Sequence, residues 1–124
     1  MPDNQQAKFR VWWDEENRII RCEAWGNFEE EDAKAQAEEF KKMLEARPGK
    51  TSVVNDLRKA GTASSGARKV FVQTLKDEKF EKTAFIGLKV VTRTIISFLI
   101  KFAGVNNVRC FDNEEDALRW IKGS

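Results

Sequence analysis

Residues 82–111 read KTAFIGLKVVTRTIISFLIKFAGVNNVRCF, and the order of patterns inside this stretch decides the fold. It opens on an apolar strand-like run at 83–86 and passes through a segment of helical period at 89–103. It closes on a second short strand at 108–111, after Gly104. Two strands joined by a helix make a crossover unit of a parallel sheet. With about 100° per residue, Val91, Ile95, Phe98, Leu99 and Phe102 share one face suited to packing on that sheet. Ile96 and Ile100 fall outside it, beside Lys89 and Arg93. The apolar arc is therefore roughly 200° wide, where a helix docked on a sheet needs about 100°. Either another helix of the same domain covers Ile96 and Ile100, or the excess meets a membrane surface, an oily ligand or a partner subunit. The same arc is self-complementary and fits a homodimer as well. The candidate ligand or membrane contacts are Lys89, Val90, Arg93, Ile96, Ile100 and Lys101.

The charges surrounding this stretch are segregated. Residues 82–111 carry five bases and no acid, whereas residues 14–45 carry eleven acids against five bases, within a chain of net charge +2. A fold that keeps the two segments apart has an acidic and a basic side. So small a net charge, with no basic patch interleaved with aromatic platforms, argues against nucleic acid as a partner. A chain of 124 residues, 41% hydrophobic, fits one domain. Residues 1–7 read as a loose tail and 8–122 as the domain. Residues 1–10 are polar, so no secretory h-region is expected there, and the fifteen residues 89–103 span only about 22 Å as a helix, against a hydrocarbon core of about 30 Å. The expected location is the cytoplasm, with any membrane contact peripheral, at the inner face. Cys22 and Cys110 each sit mid-strand without a CxxC partner and read as buried, reduced thiols.

Working outward, Phe9, Val11 and Trp13 alternate with Lys8, Arg10 and Trp12, and Ile20, Cys22 and Ala24 repeat the pattern after the turn at 14–17: a β-hairpin. Asn27 with Glu30 makes a cap for a helix whose inner stripe is Ala33, Ala37, Phe40 and Leu44, stopped by Pro48 and Gly49. Residues 51–57 read as a buried strand and 58–62 as a polar connection. A second helix follows, capped by Thr62 or Ser64, with Ala67, Val70, Phe71 and Leu75 inward. After residue 111, Asp112 and Glu115 start a last helix with Ala117, Trp120 and Ile121 on one side. The order β-β-α-β-α-β-α-β-α implies an α/β domain with a five-stranded mixed sheet covered by helices.

Chemistry has few places to reside. The absence of histidine and tyrosine removes the commonest general base and the usual nucleophilic triads. Carboxylate pairs such as Glu15–Glu16 and Glu114–Glu115 lie in a turn and a first helical turn, where solvation and the helix dipole explain them. Neither GxGxxG nor GxxxxGK[ST] is present. No catalytic centre, metal or cofactor is expected. One short motif carries mechanism: Ser64-Ser65-Gly66 at a helix start, eight residues after Asp56. A phosphate there would meet free N–H groups and the partial positive charge of the helix, with Arg68 and Lys69 nearby. The alternative is that these serines simply cap the helix.

Taken together, KTAFIG, the apolar helix, VRCFDNEEDALRWI, the hairpin and the Asp56-Leu57 strand end resemble the SpoIIAA-like proteins, a branch of the STAS superfamily also compared with CRAL-TRIO lipid-binding domains. The resemblance runs from Phe9 to Ile121. It implies a single five-stranded STAS-like domain without a catalytic centre. In the anti-sigma-factor antagonists of that superfamily, the serine of an Asp-Ser-Ser-Gly motif is phosphorylated to switch partner binding, and Ser65 matches it. Ala63 stands where the motif has Asp, the connection from Asp56 is one residue shorter, and Arg58 replaces a loop serine. For the SpoIIAA-like branch the resemblance implies instead an apolar cavity and membrane association through a mobile helix. The first expectation is thus a binding module for an apolar small molecule or lipid, in peripheral contact with membrane through 89–103. The alternative is a regulatory module for a protein partner with a phosphoserine switch at Ser65, or at Ser64 beside it.

Overall fold

The computed structural model describes residues 7–89, 93–94, 96–97, 100–101 and 104–123. The expected tail, apart from Ala7, lies outside the described residues, as do Val90, Val91, Ile95, Phe98, Leu99 and Phe102. In chain order the elements are β1 (Phe9–Asp14), β2 (Ile19–Phe28), α1 (Glu30–Glu45), β3 (Thr51–Ala63), α2 (Ser65–Leu75), β4 (Phe80–Ile86), β5 (Val108–Phe111) and α3 (Glu114–Ile121). Between β4 and β5 the described residues 93–94, 96–97 and 100–101 are helical, and Gly104 turns the chain with φ 76°.

The strands lie side by side in chain order, β1 antiparallel to β2 and the rest parallel, so the fold is α/β with a five-stranded mixed sheet. Strand alternation sorts side chains between the faces. On one face Ile20, Cys22 and Val53 pack with Phe40 and Leu44 of α1. Farther along that face, Ala24 and Phe28 pack with Ala33 of α1 and Ala67 of α2. On the other, Ile19, Val54, Ala84 and Ile86 pack against Ala117 of α3. Burying a side chain such as Leu44 contributes roughly 1.5–3 kcal/mol.

Three local readings shift, each for a physical reason. Asn27 does not cap α1, because its Oδ1 accepts the Thr62 N–H at 2.8 Å, and Glu29 caps the helix in a reciprocal box with Asp32. Residues 58–62 are strand, since β3 continues alongside the end of β2 through the register Trp25–Lys59, Gly26–Ala60 and Phe28–Ala63. At α3 the cap is Asn113, whose side chain accepts the Asp116 N–H at 2.8 Å.

The hairpin turn is tied by one carboxylate. Asp14 accepts from the Asn17 backbone N–H (3.0 Å), the Asn17 side-chain amide (2.9 Å) and Arg21 Nε (3.0 Å). The Asn17 donors first, then Arg21, pull its pKa from 3.8 to about 2. In the core, Gln36 Nε2 donates to Cys22 Sγ at 3.1 Å, but burial dominates and pushes the thiol up to about 12. Burial also raises Cys110, opposed by the charge of Arg93. Cys22 on β2 and Cys110 on β5 are three strands apart, roughly 14 Å at the usual strand spacing and beyond disulfide reach.

Two expectations follow from these groups. Because the folded pKa of Asp14 is depressed, its contribution is complete above the unfolded value and fades as pH falls from about 4 to about 2. Urea unfolding at stepped pH will show Asp14→Asn losing less stability than wild type across that window. An alkylating reagent at pH 8 will label the half-buried Cys110 of the native protein ahead of Cys22, which reacts only after denaturation; equal labelling by mass spectrometry would contradict the burial of β2.

Candidate functional site

Helices on the α1 side of the sheet do not close over it completely. Between β3, β4, α2 and the 89–103 segment lies a cavity of about 280 Å³. Val53, Asn55 and Leu57 of β3 with Thr83 and Phe85 of β4 form its floor, being alternate residues on one face. Phe71 and Leu75 of α2 make a wall, and the tail of β3, from Ala60 to Ala63, makes another. Ile96 and Ile100 complete the lining from the segment between β4 and β5.

Among the expected contacts, Ile100 is buried and Ile96 half-buried, and both line the cavity. Lys89 and Lys101 are exposed. Arg93 is partly exposed and its Nη2 donates to Asp112 Oδ1 at 2.8 Å, an ion pair joining the segment to the end of β5. Val90 lies outside the described residues.

The lining is apolar except at a few positions that sequence pattern alone did not single out. Thr83 is only 1% exposed, and among the described residues its Oγ1 has no hydrogen-bond partner. A buried hydroxyl left unpaired costs about 1–3 kcal/mol. Asn55 and Gln36 are buried beside the same space. Their signal was present in the chain as polar residues at inward positions, Asn55 within the apolar strand Val53-Val54-Asn55 and Gln36 on the stripe of Ala33 and Phe40.

The start of α2 is a second, separate feature. Ser64 is the cap, its Oγ accepting the Ala67 N–H at 3.1 Å, which leaves Ser65 exposed as the first helical residue. Arg68 is exposed there, its Nη1 donating to the Ala63 carbonyl at 3.1 Å. Glu30 of α1 leans on this turn: a Cβ placed on Gly66 would lie 2.6 Å from its Oε1, and the same side chain pairs with Lys34 at 3.0 Å. Asp56, by contrast, is held by its neighbour. Arg58 donates to it from the backbone (3.0 Å), Nε (2.9 Å) and Nη2 (2.6 Å), and these bonds with the Arg58 charge lower its pKa against the opposing effect of burial. Alternation from Val54 puts Asp56 on the face of α3, away from the cavity.

Among the described residues no group of three or more Cys, Asp or Glu is placed to hold a metal ion, and no helix is long and apolar enough to cross a membrane.

The architecture is shared with solved structures. A protein of the DUF3478 family with a SpoIIAA-like fold from Shewanella loihica PV-4 superposes with a TM-score of 0.68 at 16% identity, over 90% of each chain. The anti-sigma factor antagonist SpoIIAA in its unphosphorylated form superposes with a TM-score of 0.67 at 11% identity, over 94% of this chain and 99% of that one. At such identities the likeness concerns the fold. No curated protein matches the chain significantly. The SpoIIAA-like family model matches residues 19–122, from the start of β2 to just past α3. The chain belongs to the SpoIIAA-like family.

Proposed function

We propose that this protein is a non-enzymatic regulatory module that binds a protein partner at the start of α2, with Ser65 as the phosphoacceptor. The observation that carries the reading is the division of labour between the two serines: Ser64 is consumed by the cap, and Ser65 presents its hydroxyl on the exposed first turn. The shared fold with an anti-sigma factor antagonist supports the same class. A phosphate on Ser65 would gain from the helix N-terminus and the neighbouring Arg68 and Lys69, but it would meet the Glu30 carboxylate already resting on that turn. Phosphorylation thus acts by displacing Glu30 and altering the seam between α1 and α2.

A specific observation favours a second reading, uptake of an apolar small molecule or lipid: the cavity itself. Peripheral membrane contact through Lys89, Arg93, Ile96, Ile100 and Lys101 would require Ile96 and Ile100 to leave that cavity, so an internal ligand is the simpler use of these residues.

Affinity capture with immobilised wild type, Ser65→Ala and Ser65→Asp, quantified by mass spectrometry, tests the first reading. A partner held by wild type and Ser65→Ala will be recovered at least fivefold less with Ser65→Asp; equal recovery on all three removes the switch. For the second, organic extraction of the purified protein will release an apolar molecule that is lost in Val53→Phe, a variant that fills the cavity floor.

A further inference from the structure

We propose that β1 is an interface for a second copy of this chain, two β1 strands pairing antiparallel about a twofold axis at Val11 and joining their sheets edge to edge. β1 is the outermost strand of the sheet, and among the described residues its one strand partner is β2. The register on β2 fixes which backbone groups stay free. The Trp25 N–H donates to the Lys8 carbonyl at 2.9 Å, so these two form a hydrogen-bonded pair, and by alternation Arg10 with Glu23 and Trp12 with Arg21 do the same. Phe9, Val11 and Trp13 therefore turn their N–H and C=O groups outward. Such an edge is a template for another strand, and folds ordinarily blunt it by shortness, proline, bulges or charge. β5, at the far edge, is four residues long. β1 has six residues, an unbroken register and no proline. The single charge within residues 9–13 is Arg10, whose guanidinium lies 4.2 Å from the centre of the Trp12 ring.

The order of residues along the strand identifies the occupant. An axis at Val11 sets Val11 against its own mate and Phe9 against Trp13, and each of these pairs exchanges two hydrogen bonds through the outward groups. Their side chains lie on the α1 face, where Val11 and Trp13 border one core cluster and Phe9 another, so apolar meets apolar. On the α3 face each Arg10 comes opposite Trp12 of the second copy in a close, non-hydrogen-bonded pair, and the cation–π contact made within one strand is repeated across the axis. Other axes mismatch. Centred on Arg10, the strands would oppose two guanidinium groups; centred on Trp12 or Trp13, they would set Glu15 against Phe9 or Val11. A contact between strands this short falls under the roughly 1,200 Å² of standard interfaces, so the dimer is weak and concentration-dependent. β1 contributes no residue to the described cavity lining or to the start of α2, which keeps this interface apart from both.

Sedimentation equilibrium of the full chain from about 10 µM to about 1 mM spans the range in which so small a contact is populated. Wild type will pass from monomer toward dimer. Val11→Pro deletes an N–H that bonds nothing within the ladder to β2, so it will weaken association at least about tenfold while urea unfolding still shows a folded domain. Ile96→Asp will leave association unchanged, which separates this edge from the apolar arc of 89–103. Crosslinking with oxidised glutathione in a Cys110→Ser background reads the register independently, and decides alone if Val11→Pro does not fold. Val11→Cys brings two Cα atoms to about 5.5 Å across the axis and will yield a covalent dimer; Phe9→Cys, about 13 Å from its mate, will not. A wild type that stays monomeric throughout, a dimer that persists in Val11→Pro or is lost in Ile96→Asp, or Phe9→Cys crosslinking as readily as Val11→Cys overturns the β1 interface.

Discussion

A parallel sheet laid down in chain order must receive its crossovers on one face, because right-handed connections moving in one direction keep to one side. Here α1 and α2 occupy that side, and the segment between β4 and β5 joins them there by way of Ile96 and Ile100, while among the described elements only α3 serves the opposite face. Unequal cover has a geometric result. Where α3 meets Ile19, Val54, Ala84 and Ile86 the packing is simple and tight. On the crowded side, helices of different length meet over the same strands, and the space they fail to fill becomes a cavity.

Residues bordering that space are unusual for a core. Most of the floor is apolar, as the driving force for burial requires, yet Asn55, Thr83 and Gln36 interrupt it. A core selected for stability alone would place Val at 83, since the shape is nearly the same and no unpaired hydroxyl remains. Departures from local consistency of this kind concentrate where a fold does something besides folding. The opposite end of α2 follows the ordinary rules: Ser64 caps, Ala67 packs, and the exposed turn between them carries Ser65.

Much of this architecture could be read in the chain. The strand and helix order was legible because each element is short, periodic and punctuated, and β5 ran over the residues its apolar pattern marked out. What escaped was whatever depends on a partner far away in sequence. Asn27 is a good cap by composition, but the Thr62 N–H, 35 residues distant, claims its side chain. Residues 58–62 look like a loop because they are polar, and they are polar because a ribbon reaching past the sheet has few neighbours to bury against. The wide apolar arc at 89–103 was visible on a helical projection, which cannot say that Ile96 and Ile100 border an internal hollow. Thr83, Asn55 and Gln36 were each in view, but only the folded chain gathers them around one space.

That reaching ribbon has a mechanical meaning. β4 pairs with β3 only as far as Asp56, so among the described strands the last part of β3 pairs with β2 only, through a register broken twice by irregularities around Trp25 and Gly26. Two strands with such breaks bend far more readily than the five-stranded body below them. One side of the hollow is therefore compliant and the floor is stiff, and any flexing of the ribbon reaches Ser64 and Ser65 at its tip.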